Sequence, residues 1–269
     1  MTVVRVLPRP ELRDVVRSFG EQRRDFGNAA VTWTIPARPH QILDIYLAEP
    51  WRAQIDGGPL KTSPETVVVG PQSHSCFRLH MSGRIHVFNI LFQPAAFHRL
   101  AGIDMTSLVN QDPAATDVLG IRASLLRDAV LSATDFPSRI AAAEQCIGRM
   151  LDGRPPVDTI DRASRLLAAT RGRIRIDTLA ERAGLGPRQF QRQFMRQVGL
   201  SPKLYARTVR FETALAARRR APSTSWTDIV HEAGYFDQAH FVRECRALTG
   251  SPPSRFIDDW ESSFFPSHD

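Results

Sequence analysis

A segment near the C-terminus is written twice. Asp177 to Pro202 (DTLAERAGLGPRQFQRQFMRQVGLSP) recurs as Thr227 to Pro252 (TDIVHEAGYFDQAHFVRECRALTGSP). At an offset of fifty residues Leu179 meets Ile229, Ala183 meets Ala233 and Gly184 meets Gly234. Ser201-Pro202 likewise meets Ser251-Pro252. One extra residue at the second turn aligns Phe190 with Phe241 and Arg192 with Arg243. Each copy reads as a short helix, a Gly-centred turn and a second helix with a polar outer face. That is how a helix-turn-helix is written in sequence. Two in tandem predict a chain that reads double-stranded DNA.

Charge supports that reading by its placement. Between Arg162 and Arg220 stand fifteen Lys or Arg against three acids, Asp177, Glu181 and Glu212. Residues 1–156 hold seventeen basic and fifteen acidic residues, so most of the net +7 falls on the repeat. A local surplus of that size implies a polyanion or a membrane surface as partner. The chain has no run of eighteen apolar residues and no leader pattern, so no membrane partner is expected. Cys76, Cys146 and Cys245 are odd in number and far apart, which speaks against a disulfide framework and for a reducing cytoplasm.

The 269 residues are enough for two cores. Residues 1 to about 120 read as short strands at Val31–Ile35, Gln41–Leu47, Thr66–Val69, Cys76–His80 and Ile85–Phe92, punctuated by Pro and Gly. This spacing predicts a β-sandwich or small barrel, with a short helix over Pro94 to Ala101. Ile121, Leu125, Leu126, Ala129 and Val130 then mark one helical stripe, and Ile140, Ala143, Ile147 and Met150 a second. They predict a hairpin packed on the β region or on a partner subunit. Asp152-Gly153-Arg154-Pro155-Pro156 supplies a stiff linker. The expected division is 1–152, a linker 153–157, a helical domain 158–259 with reading units at about 176–198 and 226–249, and a tail 260–269. The fold class is therefore α+β: a β-rich domain with a helical hairpin, then an all-helical one. Ser201-Pro202 and Ser251-Pro252 each place an N-cap serine before a first-turn proline, and Ser225 with Asp228 has the pattern of a capping box.

In the first reading helix, Pro187–Val198, residues Phe190, Phe194 and Val198 form the inner stripe, so Arg188, Gln191 and Arg192 project outward. Arg suits guanine O6 and N7, and Gln suits adenine N6 and N7, through paired hydrogen bonds in the major groove. In the second, Gln238–Thr249, Asp237 is the N-cap and Phe241, Cys245 and Leu248 face inward. Gln238, His240 and Arg243 are its base-contact candidates. Arg196, Lys203, Arg207 and Arg246 are expected on phosphates. A long helix from Pro202 to about Arg220 holds the units apart, so that they enter successive major-groove segments.

These residues resemble the DNA-binding module of the AraC/XylS family of bacterial transcription regulators. The resemblance runs from Val157 to Asp259. It rests on Ile176–Gly184, on Gly199-Leu200-Ser201-Pro202, and above all on Ala233-Gly234-Tyr235-Phe236-Asp237-Gln238-Ala239-His240-Phe241 with Thr249-Gly250-Ser251-Pro252. It implies a seven-helix module with base contacts at the six positions named, preceded by a cupin-like effector or dimerisation domain. RNA polymerase, a small-molecule effector and a second copy of the chain are the partners such a regulator admits. Cys245, Glu244 and Gly186-Pro187 depart from the family pattern.

No catalytic set is evident in the β-rich half, and no enzyme activity, cofactor or metal is expected. His74, His80 and His86 recur every six residues, but the turn around Gly83 breaks their alignment. Trp33, Arg38, His40 and Tyr46 are candidates for an effector pocket. The alternative function is a DNA-targeted enzyme or a thiol-based sensor built on Cys76.

Overall fold

The computed structural model describes residues 2–221 and 223–262. Most of the expected tail, 260–269, lies outside them. Nine strands come first: β1 (Thr2–Val6), β2 (Val16–Asp25), β3 (Val31–Ile35), β4 (Ile42–Tyr46), β5 (Arg52–Ile55), β6 (Lys61–Thr62), β7 (Thr66–Val69), β8 (Phe77–Met81) and β9 (Arg84–Phe92). They form two antiparallel sheets, ordered β1-β2-β9-β4-β7 and β3-β8-β5-β6. β8 and β9 are consecutive but lie in different sheets, because the turn at Gly83 (φ +63°) redirects the chain. That turn also keeps the three histidines apart. His80 bonds Thr32 (3.1 Å), His86 bonds Glu21 (3.0 Å), and His74 lies in the loop before β8.

The first sheet is covered on one face by helices. They are α1 (Ala96–Ala101), α2 (Ala115–Leu119), α3 (Ile121–Ser132) and α4 (Phe136–Leu151). Leu43, Ile45, Phe88 and Ile90 share one core with Ala123, Leu126, Val130, Ala143, Ile147 and Met150. The helical hairpin thus packs on the β region of its own chain. The expected stripe of α3 splits, for Ile121 and Leu125 are 72% and 59% exposed. On the sheet's other face Ile42, Tyr46, Val67, Val87 and Leu91 meet Trp51, which also touches the core of the second sheet. Cross-strand register places Gly20, Asn89, Asp44 and Val67 in one row on this inner face. A Cβ on Gly20 would collide with the Asn89 amide, so glycine makes room for a buried polar side chain.

Helices α5 (Thr159–Ala169), α6 (Ile176–Arg182), α7 (Pro187–Val198), α8 (Pro202–Arg220), α9 (Trp226–Glu232), α10 (Gln238–Thr249) and α11 (Pro253–Ser262) complete the described chain. They bury two cores. Ile160, Leu167, Leu179, Phe190, Phe194 and Tyr205 form one, and Phe211, Ile229, Tyr235, Phe241, Cys245 and Phe256 the other. Helix α8 contributes to both. Ser201 Oγ accepts from Leu204 N–H at 3.2 Å, as a serine N-cap should. The second copy differs, because α11 begins at Pro253 and Ser251 is not its neighbour. At Ser225 the hydroxyl accepts from Asp228 N–H (3.2 Å) and donates to the Asp228 carboxylate (2.6 Å).

Candidate nucleic-acid interface

Both reading units turn on a glycine in the left-handed region, Gly184 at φ +67° and Gly234 at φ +87°. A side chain is disfavoured there, which explains why this residue repeats. After the first turn, α7 buries Phe190, Phe194 and Val198 and leaves Arg188, Gln191, Arg192 and Arg196 exposed. Phe194 packs on Phe190 and on Tyr205 of α8, with ring centres 5.7 and 5.6 Å apart, so the helix cannot rotate about its axis. After the second turn, the Asp237 carboxylate accepts from His240 N–H at 2.6 Å and starts α10. Gln238, Arg243 and Arg246 are exposed, while His240 is half-buried with its ring on Tyr235 at 5.3 Å. Phe236, 89% exposed, stands beside this helix start.

Between the units lies a cleft of about 680 Å³. Arg173 and Arg175 line it from the α5–α6 connection, Lys203, Arg207 and Arg210 from α8, and His240, Arg243 and Glu244 from α10. Among the described residues Glu244 is the one acid in that lining. It is engaged, since Arg207 Nε donates to both its oxygens at 2.8 and 3.0 Å. Arg207 therefore braces α10 against α8 and would have to leave Glu244 to meet a phosphate. Arg196 is exposed; the bonds from Thr106 hold the Asp104 carboxyl below its ordinary range, and the Arg196 charge adds a smaller effect in the same direction. Lys203 and Arg246 are exposed. Sequence reasoning missed Arg173, Arg175, Arg210 and Phe236. The three arginines lie within the basic run, but nothing in their spacing ranks them above its other members.

Residues 179–259 match a family model described as a helix-turn-helix domain, and residues 4–113 match a domain of unknown function (DUF6597). The chain carries an AraC-type helix-turn-helix domain at its C-terminus. Among solved structures, ToxT from Vibrio cholerae O395 is similar over 92% of this chain and 100% of its own, at 10% identity and a TM-score of 0.50. That likeness is one of fold and spans both halves. A second ToxT crystal form matches at 10% identity and a TM-score of 0.49, covering 90% of this chain and 98% of that one. The AraC-like transcriptional activator CuxR matches at 16% identity and 0.27, covering 83% and 87%. No curated protein matches the sequence.

The AraC-type domain is held by a strap, Pro36–Gln41, that joins β3 to β4. Ala37 N–H donates to the Leu248 carbonyl of α10 at 2.8 Å, and Gln41 Nε2 donates to the Val198 carbonyl of α7 at 3.1 Å. The last carbonyls of a helix lack partners within it, so the strap caps the C-terminal ends of both reading helices. Between these bonds His40 Nε2 lies 2.9 Å from Glu212 Oε2 in the middle of α8. Burial lowers the His40 pKa while Glu212 opposes it, and the neutral ring donates Nε2–H to the carboxylate. Arg38, half-buried, lies within the fields of Asp44 on the inner sheet face and of Glu212. Asp44 is pushed up to about 7 by burial, with Arg38 opposing. Gly199, the C-cap of α7 at φ +90°, fits so closely that a Cβ would come 2.7 Å from Pro71 Cγ. Helix α5 adds pairs from Arg165 to Asp14 and, at 3.6 Å, from Asp161 to Arg99.

The four expected pocket residues divide. Arg38 and His40 lie on the strap, whereas Tyr46 packs edge-on against Trp51 at 4.9 Å and Trp33 packs on the core of the second sheet. Cys76 is buried, and its thiol is pushed up to about 12 by burial and the Asp56 carboxylate. A thiol so held is a poor nucleophile at neutral pH, which weighs against a DNA-targeted enzyme or thiol-based sensor built on Cys76. The expectation of no metal site overlooked one grouping, because Asp56 comes from a distant turn. Asp56, His74 and Cys76 bring ligand-type atoms within 4.8 Å of one another.

Proposed function

We propose that the chain is a sequence-specific regulator of transcription that reads double-stranded DNA with α7 and α10 in successive major-groove segments. The observation that carries this is the pair of exposed polar helix faces, on α7 and α10, together with a cationic cleft lined from α8 and α10. Arg188, Gln191 and Arg192 supply base contacts from the first face, and Gln238, His240 and Arg243 from the second. The intervening backbone crosses the cleft, where Lys203 meets phosphate with Arg173, Arg175 and Arg246 nearby. Phe236 rests on sugar or a thymine methyl, which gives an exposed ring a role. Residues 1–152 act as the sensing part, 153–157 as the linker and 158–259 as the reading part.

Effector control is read from the strap. It touches both reading helices and the rod between them, and its half-buried Arg38 lies in the field of buried Asp44, whose cross-strand neighbour Asn89 is buried too. A small polar ligand placed there would displace the strap and so alter the presentation of α7 relative to α10. A free-standing DNA-binding module would need no such coupling.

Selection of bound sites from a random oligonucleotide pool with the full chain tests the reading. The expected product is a long, asymmetric site with two unlike conserved blocks about one helical turn (~10 base pairs) apart. Recovery of unselected sequence, or of a single short block, would overturn it.

A further inference from the structure

We propose that Asp56, His74 and Cys76 form a binding site for a borderline divalent transition-metal ion, Zn²⁺ foremost, on the β3-β8-β5-β6 sheet. The site shares no residue with the reading helices and does not depend on their function.

The donor set is mixed thiolate, imidazole and carboxylate, which suits Zn²⁺ and its neighbours and not the hard ions Mg²⁺ or Ca²⁺. His74 Nε2 stands 3.0 Å from Asp56 Oδ1. The three ligand atoms lie within 4.8 Å of one another, whereas tetrahedral bonds of ~2.0–2.3 Å place ligand atoms roughly 3.3–3.8 Å apart. Closing on an ion thus requires a contraction of at most about 1.5 Å, within the reach of side-chain rotation.

The surroundings are organised for such a task. Ser73 Oγ lies 3.0 Å from His74 Nδ1, the outer-shell hydrogen bond that turns the opposite nitrogen toward an ion. Asn110 secures that serine, accepting from Ser73 N–H at 2.8 Å and donating to its hydroxyl at 2.9 Å. Asp56 is fixed in the left-handed region at φ +46°, and its N–H donates to the Cys76 carbonyl at 2.9 Å. Strain of this kind on a non-glycine residue persists where the surroundings demand it. Cys76 is buried, but the side chains of His74 and Asp56 are 47% and 56% exposed, so an ion has an entry path. The same side leaves the fourth position open to water. Binding releases the thiol proton to solvent, so uptake weakens on acidification.

The test uses the full chain, reduced and stripped with a chelator, titrated anaerobically with Co²⁺ alone. One equivalent should bind with a thiolate-to-cobalt charge-transfer band, and Zn²⁺ should displace it. The band should vanish in Cys76→Ser and persist in Cys146→Ser, and His74→Ala should weaken binding at least tenfold. A band that survives in Cys76→Ser, or no uptake at micromolar Co²⁺, would overturn the proposal. A second measurement needs no variant, so it stands if Cys76→Ser fails to fold. One equivalent of Zn²⁺ should slow alkylation of Cys76, mapped by mass spectrometry, at least tenfold while leaving Cys146 unchanged. Equal rates at Cys76 with and without Zn²⁺ would refute the site.

Discussion

Single side chains divide into those aimed at solvent and those committed inside the fold, and each kind has its own test. Arg192→Ala should weaken binding to a selected operator by about 1–3 kcal/mol more than binding to random DNA. An equal loss on both would assign Arg192 to phosphate. Lys203→Ala should weaken both alike and reduce the slope of log affinity against log salt by about 1. Asp44 belongs to the committed kind. With its pKa raised to about 7 by burial, the folded state holds a proton that the unfolded chain has released. Its contribution to stability is complete below about pH 4, and is lost by about 1.4 kcal/mol per pH unit up to about pH 7. Urea melts of wild type minus Asp44→Asn should show that slope, and a flat difference would refute it. The outward positions on α7 were legible because one apolar stripe fixes the opposite face. The partners of Arg207 were not, because its acid lies thirty-seven residues away on another helix.

Among the elements, α8 and its two flanking units carry the sequence's clearest signals, and their junctions are where substitutions should be felt. Arg207→Ala would strand Glu244, whose side chain is 12% exposed, and remove the polar brace between α10 and α8. Thermal unfolding should register a loss of about 1–3 kcal/mol. Lys203→Ala, four residues earlier and exposed, should cost nothing measurable in the same assay. Helix bounds followed from Gly, Pro and Ser punctuation. The expected strand over Val31–Ile35 coincides with β3, and that over Thr66–Val69 with β7. Strand β2 (VRSFGEQRRD) escaped notice because its charges hide the alternation. Glu21 within it is nevertheless buried, held below the usual carboxylate range by His86, Arg23 and Arg139 against the effect of burial.

At the scale of the molecule, the strap joins the β-rich half to both helices of the proposed DNA-reading surface. The double variant His40→Ala, Gln41→Ala removes the hold on α8 and the cap on α7 while leaving every proposed DNA contact in place. The two reading helices then lose a preset separation, and binding must supply that ordering. Operator affinity should fall about tenfold, or ~1.4 kcal/mol, with the order of preferred sequences unchanged. Hydrogen exchange at the Ala37 amide should quicken in parallel. Unchanged affinity would show that α8 alone sets the spacing. What the chain's sequence decided by itself was local: helix periodicity, turn glycines, caps, the basic run and a unit repeated at an offset of fifty residues. What the tertiary structure decided was contact at long range. The strap bonds Gln41 to Val198, and the proposed ion site joins Asp56 to His74 and Cys76. Such pairings depend on which surfaces pack together, and a hydrogen bond or a ligand set leaves no period along the chain to announce its partner.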